Sequence, residues 1–157
     1  MTIPVSQNVH FITLSTPDLQ AARGFYVRGL GWEPLLDVPG EIVFFQIAPG
    51  TVLGLFDARS FQQDLGLDPE DVQAASGVTL AHNVGDRAEV RSVVAAMEEA
   101  GGQVVTPPED GAFGGIFHAH VKDPNGVVWE IAHNPGWRVA QDGSVVFADL
   151  PPGTPAP

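Results

Sequence analysis

The stretch FHAHVKDPNGVVWEIAHN, residues 117–134, holds the strongest structural signal in the chain. Its turn residues DPNG separate two runs that are rich in β-branched and apolar side chains, which predicts a β-hairpin. Glu130 interrupts one of these strands, while His118 and His120 lie two residues apart on the other. A carboxylate close to two imidazoles in this hairpin indicates a polar site.

The same order of elements is predicted twice along the chain. Residues 1–58 show the pattern of a strand, an amphipathic helix and three further strands. Residues 77–134 repeat this β-α-β-β-β order, and a repeat of order is typical of duplicated units. We therefore predict an α+β fold of two tandem βαβββ units, whose curved mixed sheets together enclose a cavity.

Two segments lie outside these units. Residues 59–76 are polar and are predicted to form a linker, with a short helix at residues 69–75. Residues 135–157 are rich in proline and glycine and are predicted to form a tail that is ordered only around Trp137.

Composition excludes several classes of protein. The net charge of −12 disfavours nucleic acids and anionic membranes as partners, because both attract basic surfaces. The absence of cysteine excludes disulfides, thiolate catalysis and zinc–cysteine sites. The N-terminus lacks the charged and apolar regions of a signal peptide, and no apolar run is long enough to span a membrane. A cytoplasmic protein is expected.

Four segments, in this order, resemble the vicinal oxygen chelate superfamily, which includes glyoxalase I, bleomycin-resistance proteins, fosfomycin-resistance enzymes and extradiol dioxygenases. The resemblance spans residues 9–134 and implies the duplicated fold and a homodimer. It does not fix the function, because one fold supports many chemistries. The segments are TPDLQAARGFYVRGLGW (16–32), GVTLAHNV (77–84), EEAGGQVV (98–105) and DPNGVVWE (123–130).

Metal-dependent members of that superfamily bind one divalent ion with two ligands from each unit. The positions that the resemblance implies here are Phe11, Gly54, Thr79 and Glu130. Only Glu130 carries a strong metal ligand. His10 and His82 lie nearby in sequence, but strand alternation places them on the opposite face unless a bulge intervenes. We therefore expect no cofactor, with a divalent metal as the alternative.

The orientation of His118 and His120 cannot be obtained by counting residues alone. A turn of two or four residues would place both on the face opposite Glu130, whereas a turn of three would place them beside it. The resemblance to the fosfomycin-resistance branch implies that both are substrate-contacting positions inside the cavity, together with Glu130.

Three interpretations of His118, His120 and Glu130 remain open. The cluster can be a hydrogen-bonded floor of a polar pocket. It can carry out general acid–base catalysis, because a carboxylate orients a histidine that transfers protons near neutral pH. It can also be a rearranged metal site, since two histidines and one carboxylate are a known ligand set for non-haem iron.

The ligand is predicted from the chemistry of the cavity face, which is apolar in the first unit and polar in the second. This combination suits a small amphipathic organic molecule, and the lack of Lys or Arg at these positions argues against a highly anionic one. We predict a binding protein, with a metal-dependent lyase or dioxygenase as the alternative. Binding candidates beyond the cluster are Phe11, Thr13, Gln46, Gly54, Thr79 and Asn83.

Overall fold

The structure, a computed structural model, describes residues 5–112 and 114–148. Residues 1–4, 113 and 149–157 lie outside this description. They include the end of the predicted tail and the start of the N-terminal segment in which no signal peptide was expected. The chain divides into two compact units between Ser76 and Gly77.

The first unit contains one four-stranded mixed sheet in the order β1-β4-β3-β2. Strands β1 and β4 are parallel, while the β4–β3 and β3–β2 pairs are antiparallel. The elements are β1 (Phe11–Thr16), α1 (Leu19–Arg23), a π-helical segment (Gly24–Gly29), β2 (Leu36–Val38), β3 (Ile42–Ala48), β4 (Thr51–Asp57) and α2 (Ala58–Asp64).

The second unit repeats this topology in the order β5-β8-β7-β6, and a two-stranded hairpin follows it. The predicted α+β fold with two βαβββ arrangements is therefore confirmed. The elements are β5 (Thr79–Asn83), α3 (Arg87–Glu99), β6 (Gln103–Asp110), β7 (Phe117–Lys122), β8 (Val128–His133), β9 (Trp137–Val139) and β10 (Val145–Phe147).

The sheet of the second unit packs its helix against one face. In the second unit, α3 presents Val90, Val94 and Met97 to the sheet, and all three are buried. Side chains alternate along a strand, so the residues between the buried ones lie on the other face. That second face is free of the helix, and it is the face on which the candidate site lies.

The helix predicted over residues 19–30 changes its winding part-way. The N–H of Leu30 donates to the carbonyl of Phe25, five residues back, at 2.9 Å. This wider turn accompanies the burial of two consecutive aromatic side chains, Phe25 at 1% exposed and Tyr26 at 0%. A π-helical segment of this kind is common where a helix accommodates an inserted residue.

The short helix expected at residues 69–75 is wrong, because α2 occupies Ala58–Asp64 instead. The Asp57 carboxylate accepts from the N–H of Ser60 at 3.0 Å and so caps the first turn. Ala58 and Gln62, four residues apart, form the buried side of this helix.

Among the described residues, no helix combines the length and apolar character that a membrane crossing needs.

Candidate functional site

The loop between β7 and β8 determines which side chains face each other. Asp123 is 5% exposed, and its carboxylate accepts from the N–H groups of Asn125 and Val127 at 2.8 and 2.9 Å. Lys122 pairs with Val128, so five residues separate the strands. An odd number of loop residues places His118, His120 and Glu130 on one face, as the resemblance implied.

The register confirms this common face. His120 pairs directly with Glu130 on the neighbouring strand, and His118 pairs with Ala132. The intervening residues, among them Trp129 and Ile131, are buried on the side of α3. The two histidines therefore lie on the face that α3 does not cover. A position on the helix-covered face would have ruled out the proposed site.

One carboxylate oxygen connects the cluster. Oε2 of Glu130 lies 3.2 Å from Nδ1 of His118 and 3.2 Å from Nε2 of His120. The two imidazole rings are 5.0 Å apart at 65°. The side chains are 23%, 24% and 31% exposed for His118, His120 and Glu130, so a ligand can reach all three.

The shared oxygen determines what the cluster offers to a ligand. An ionised carboxylate only accepts hydrogen bonds, so both nitrogens that contact Glu130 must donate to it. In neutral histidines, the remaining nitrogens then carry lone pairs. These are Nε2 of His118 and Nδ1 of His120. With this proton arrangement, the cluster presents two imidazole acceptors, together with Oε1 of Glu130, and no donor.

The same three side chains form a candidate metal site. Their ligand atoms all lie within 4.8 Å of one another. Adjacent ligands at bonds of about 2.0–2.2 Å from one ion are separated by about 2.9–3.5 Å, which includes the two 3.2 Å distances. A metal would need both nitrogens deprotonated, so metal binding and the hydrogen-bonded state are alternatives.

The sequence interpretation missed several neighbours of the cluster. Glu109 pairs with His118 and Thr106 with His120 on β6, where prolines obscured the strand pattern. Lys122 lies on the same face of β7 as His120, so the expectation of no Lys or Arg on this face is wrong. Strict alternation from His118 through His120 was the signal that could have found Lys122.

The remaining predicted residues of the second unit lie on β5. Thr79 pairs with Val128 and Asn83 with Ala132, so both share the face of Glu130. Thr79 is exposed and Asn83 is half-buried. Neither makes a contact with the His/His/Glu cluster that would assign it a role, and both stay predictions as binding residues.

The predicted residues of the first unit share one face of their own sheet. Thr13 pairs with Gly54 and Phe11 with Val52, while Gln46 pairs with Val52 from the other side. Phe11 is 56% exposed and forms an edge-to-face contact with Phe44 at 5.5 Å. This face is therefore largely aromatic.

Gly54 is covered by a neighbouring ring. A Cβ atom at this position would lie 3.0 Å from Cε1 and 3.2 Å from Cδ1 of Phe44, and 3.3 Å from Oγ1 of Thr13. These distances are shorter than ordinary van der Waals contact, so the Phe44 ring occupies the space that a side chain at position 54 would use. Gly54 therefore offers only backbone atoms to this face of the sheet, and the Phe44 ring beside it makes the surface apolar.

A cavity of about 290 Å³ lies beside β1 in the first unit. Thr13 and Ser15 line it from the strand, and Gln62 and Gln73 line it from α2 and the segment that follows. The Ser15 hydroxyl donates to the carbonyl of Gln73 at 2.5 Å, which fixes this segment against the sheet. Thr13 thus lies next to a cavity, as the predicted binding role requires.

The comparison with known families agrees with this topology. A sequence profile of the Glyoxalase/Bleomycin resistance protein/Dioxygenase superfamily matches residues 8–131, which extend over both units. The chain belongs to this superfamily. The resemblance found in the sequence is confirmed, although it leaves the specific activity open. A comparison with the curated proteins finds no match.

Solved structures of the superfamily share the fold. A glyoxalase-related enzyme from Fulvimarina pelagi is 37% identical, covers 92% of this chain and 100% of its own, and has a TM-score of 0.79. A glyoxalase/bleomycin resistance protein/dioxygenase from Nocardioides is 26% identical over 88% of this chain and 92% of its own, at 0.68. Lactoylglutathione lyase from Agrobacterium tumefaciens is 26% identical over 82% and 94%, at 0.61.

The four-ligand metal arrangement of the superfamily does not fit this chain. Among the implied positions, Phe11 and Gly54 offer no ligand atom and Thr79 offers only a hydroxyl. The β5–β8 register runs without a shift, so His82 stays on the face opposite Glu130. His10 precedes the regular β1–β4 register. A metal in this superfamily member would depend on the His118, His120 and Glu130 cluster.

Proposed function

We propose that the protein binds a small amphipathic organic molecule and holds its polar end at His118, His120 and Glu130. The observation that carries this proposal is the single Glu130 oxygen 3.2 Å from a ring nitrogen of each histidine. That arrangement leaves one acceptor nitrogen on each of two partly exposed histidine side chains. Members of the superfamily commonly bind small molecules, which supports the proposal.

The polar end of the ligand would be a hydrogen-bond donor, such as a phenolic or aliphatic hydroxyl group. An acceptor-only group would leave both histidine nitrogens without a partner, which costs affinity in a partly desolvated site. Val128 flanks Glu130 on the same face of β8, is half-buried and offers apolar contact beside the polar cluster. The aromatic face around Phe11 and Phe44 gives the first unit an apolar surface of its own.

A pair of probes tests the donor requirement. We expect 4-propylphenol to bind at least about tenfold more tightly than 4-propylanisole, because only the phenol donates a hydrogen bond to the histidines. Isothermal titration calorimetry measures both affinities. The double substitution His118→Phe/His120→Phe removes both histidine acceptors and should bring the two affinities together, while His82→Phe, on the other face of the sheet, should leave their ratio unchanged.

Equal binding of the two probes to the unmodified protein would contradict the donor requirement. A ratio that persists when both His118 and His120 are replaced by Phe would place the phenol elsewhere and would contradict the role of this cluster. Circular dichroism of each variant confirms that the comparison is made on folded protein.

A second candidate function is a metal-dependent lyase or dioxygenase. It is supported by the two 3.2 Å distances, which suit adjacent ligands of one ion, and by similarity to proteins named as enzymes, including the lyase from Agrobacterium tumefaciens. His118, His120 and Glu130 would hold the ion, and the ion would polarise a bound substrate oxygen. Three protein ligands would leave positions for that substrate.

Metal binding is tested with the metal alone. If this candidate is correct, protein purified without a chelating tag and dialysed against Zn²⁺ or Mn²⁺ should retain about one ion per chain, measured by elemental mass spectrometry. Glu130→Gln should weaken binding by at least about tenfold, since it removes the anionic ligand. Glu109→Gln is the matched control, because Glu109 is an exposed carboxylate on the neighbouring strand. No retained metal would overturn this candidate and leave the metal-free proposal.

We also propose that the chain forms a homodimer. The resemblance to the superfamily implies dimers, and several large apolar side chains are exposed in the single chain, including Leu35 at 61%, Leu36 at 47% and Phe147 at 59%. Burial of such side chains favours association. Multi-angle light scattering should give twice the mass of one chain, and a monomeric mass at all accessible concentrations would contradict the proposal.

A further inference from the structure

A second cavity lies at the end of the sheet in the second unit, where β8 continues towards β9. Its volume is about 450 Å³, within the range of about 300–1,000 Å³ that is typical of small-molecule sites. Its polar and aromatic lining comes from Asn83, His133, Asn134, Trp137 and Arg138. The cavity has no part in the His118, His120 and Glu130 cluster.

The charge of this cavity differs from that of the chain as a whole. The protein has 19 acidic and 7 basic residues, yet no described residue that lines this cavity is acidic. Glu89 lies next to Gly85 at the rim, but its carboxylate accepts from the N–H of Gly85 at 2.6 Å. One oxygen of the Glu89 carboxylate is therefore already engaged in capping the N-terminus of α3. The remaining charged group is the guanidinium of Arg138.

Within residues 5–112 and 114–148, no acidic side chain forms an ion pair with Arg138. By contrast, Arg23, Arg59 and Arg87 each form an ion pair with an acidic side chain. In a strongly acidic protein, an arginine that is left without an acid beside a cavity is available for an external anion. The planar guanidinium matches a carboxylate with two parallel hydrogen bonds.

The other lining residues define the rest of the ligand. The indole of Trp137 offers a flat apolar surface, against which aromatic rings pack with offset or edge geometry. Asn83, Asn134 and His133 add amide and imidazole groups that can orient further polar substituents. We propose that this cavity is a binding site for a small aromatic carboxylate, with Arg138 holding the carboxylate and Trp137 contacting the ring.

This site is separate from the proposed function, so the two must be tested independently. Asn83 shares the face of Glu130 by its register and also lines the second cavity. Asn83 is therefore the residue through which binding at one site would affect binding at the other. Glu130→Gln serves as the variant that separates them, because Glu130 does not line the second cavity.

Benzoate and benzamide are the probes, since they share shape and differ in charge. We expect the full chain to bind benzoate at least about tenfold more tightly than benzamide by isothermal titration calorimetry, because a charged hydrogen-bonded pair is stronger than a neutral one. Arg138→Gln should lower benzoate affinity by a similar factor and leave benzamide binding unchanged. Arg28→Gln, at an exposed arginine of the first unit, and Glu130→Gln should both leave benzoate binding unchanged.

Each contrary result overturns the inference. Absence of benzoate binding, or equal affinity for the two probes, would exclude a carboxylate site. Benzoate binding that is unchanged in Arg138→Gln would place the ligand elsewhere. A loss of binding in Glu130→Gln with Arg138→Gln unaffected would assign benzoate to the histidine cluster instead. Arg138 is exposed, so its substitution is expected to leave the fold intact.

Discussion

Replacing Tyr26 by alanine is expected to lower the free energy of unfolding by about 3–5 kcal/mol, the usual cost of truncating a large buried aromatic side chain. Tyr26 is 0% exposed and lies at the centre of the aromatic core of the first unit. Its ring is 4.9 Å from Phe25, 5.3 Å from Trp32 and 5.8 Å from Phe45. The substitution would leave a cavity that these neighbours cannot fill.

Urea unfolding followed by circular dichroism measures this loss. Phe11→Ala provides the matched control, because Phe11 is also aromatic but is 56% exposed. Its removal is expected to cost less than about 1 kcal/mol, since most of the ring is already in contact with water. A similar cost for both substitutions would contradict the burial that the structure assigns to Tyr26.

Replacing Asp37 by alanine is expected to destabilise the first unit by roughly 2–3 kcal/mol, below the 3–5 kcal/mol typical of fully buried pairs because the Asp37 side chain is 36% exposed. Arg23 is only 9% exposed, and its Nε donates to both carboxylate oxygens at 3.0 and 3.1 Å. Nη1 of Arg23 is already buried without a partner among the described residues. Loss of Asp37 would leave the whole guanidinium charge without compensation.

Glu70→Ala is the control for this ion pair. Glu70 pairs with Arg59 at the surface, where both side chains are more than half exposed. Arg59 lowers the pKa of Glu70 through a hydrogen bond and through its charge. Water and salt screen such a pair, so its removal should have a much smaller effect than Asp37→Ala in the same urea titration. An equal effect would show that Arg23 is not effectively buried.

Much of the fold follows from the sequence, because alternation and turn residues act locally. The strands from β1 to β8 all fall where β-branched and aromatic runs predicted them, and Asp86 and Gly101 mark the ends of α3 as expected. The order of elements was enough to identify the duplicated topology. Element boundaries were less well determined, as in β2, which begins only at Leu36.

The elements that the sequence interpretation missed depend on less local forces. The π-helical winding at Gly24–Gly29 leaves the apolar spacing of a normal helix nearly unchanged, so periodicity cannot reveal it. Strand β6 was predicted, but it runs on past Pro107 and Pro108 to Asp110 because it lies at the sheet edge, where register shifts tolerate residues that cannot donate. The β9–β10 hairpin did have a signal, Asp142-Gly143 between two apolar runs.

The candidate site was only partly predictable for a geometric reason. Residue types marked His118, His120 and Glu130 as chemically active, but their common face depends on the parity of the loop between β7 and β8. Asp123 sets that loop through hydrogen bonds to backbone N–H groups, which residue counting does not show. The roles of these residues in binding or catalysis remain predictions.

The packing at Gly54 means that a metal ligand cannot be introduced at this position without a response from its neighbours. The Cβ atom of a glutamate at position 54 would lie 3.0 Å from Cε1 of Phe44. The Phe44 ring would have to shift to make room, and that shift would disturb its edge-to-face contact with Phe11. Positions 11, 44 and 54 therefore form one engineering unit: a design that adds a ligand at position 54 must choose the residues at 44 and 11 together with it.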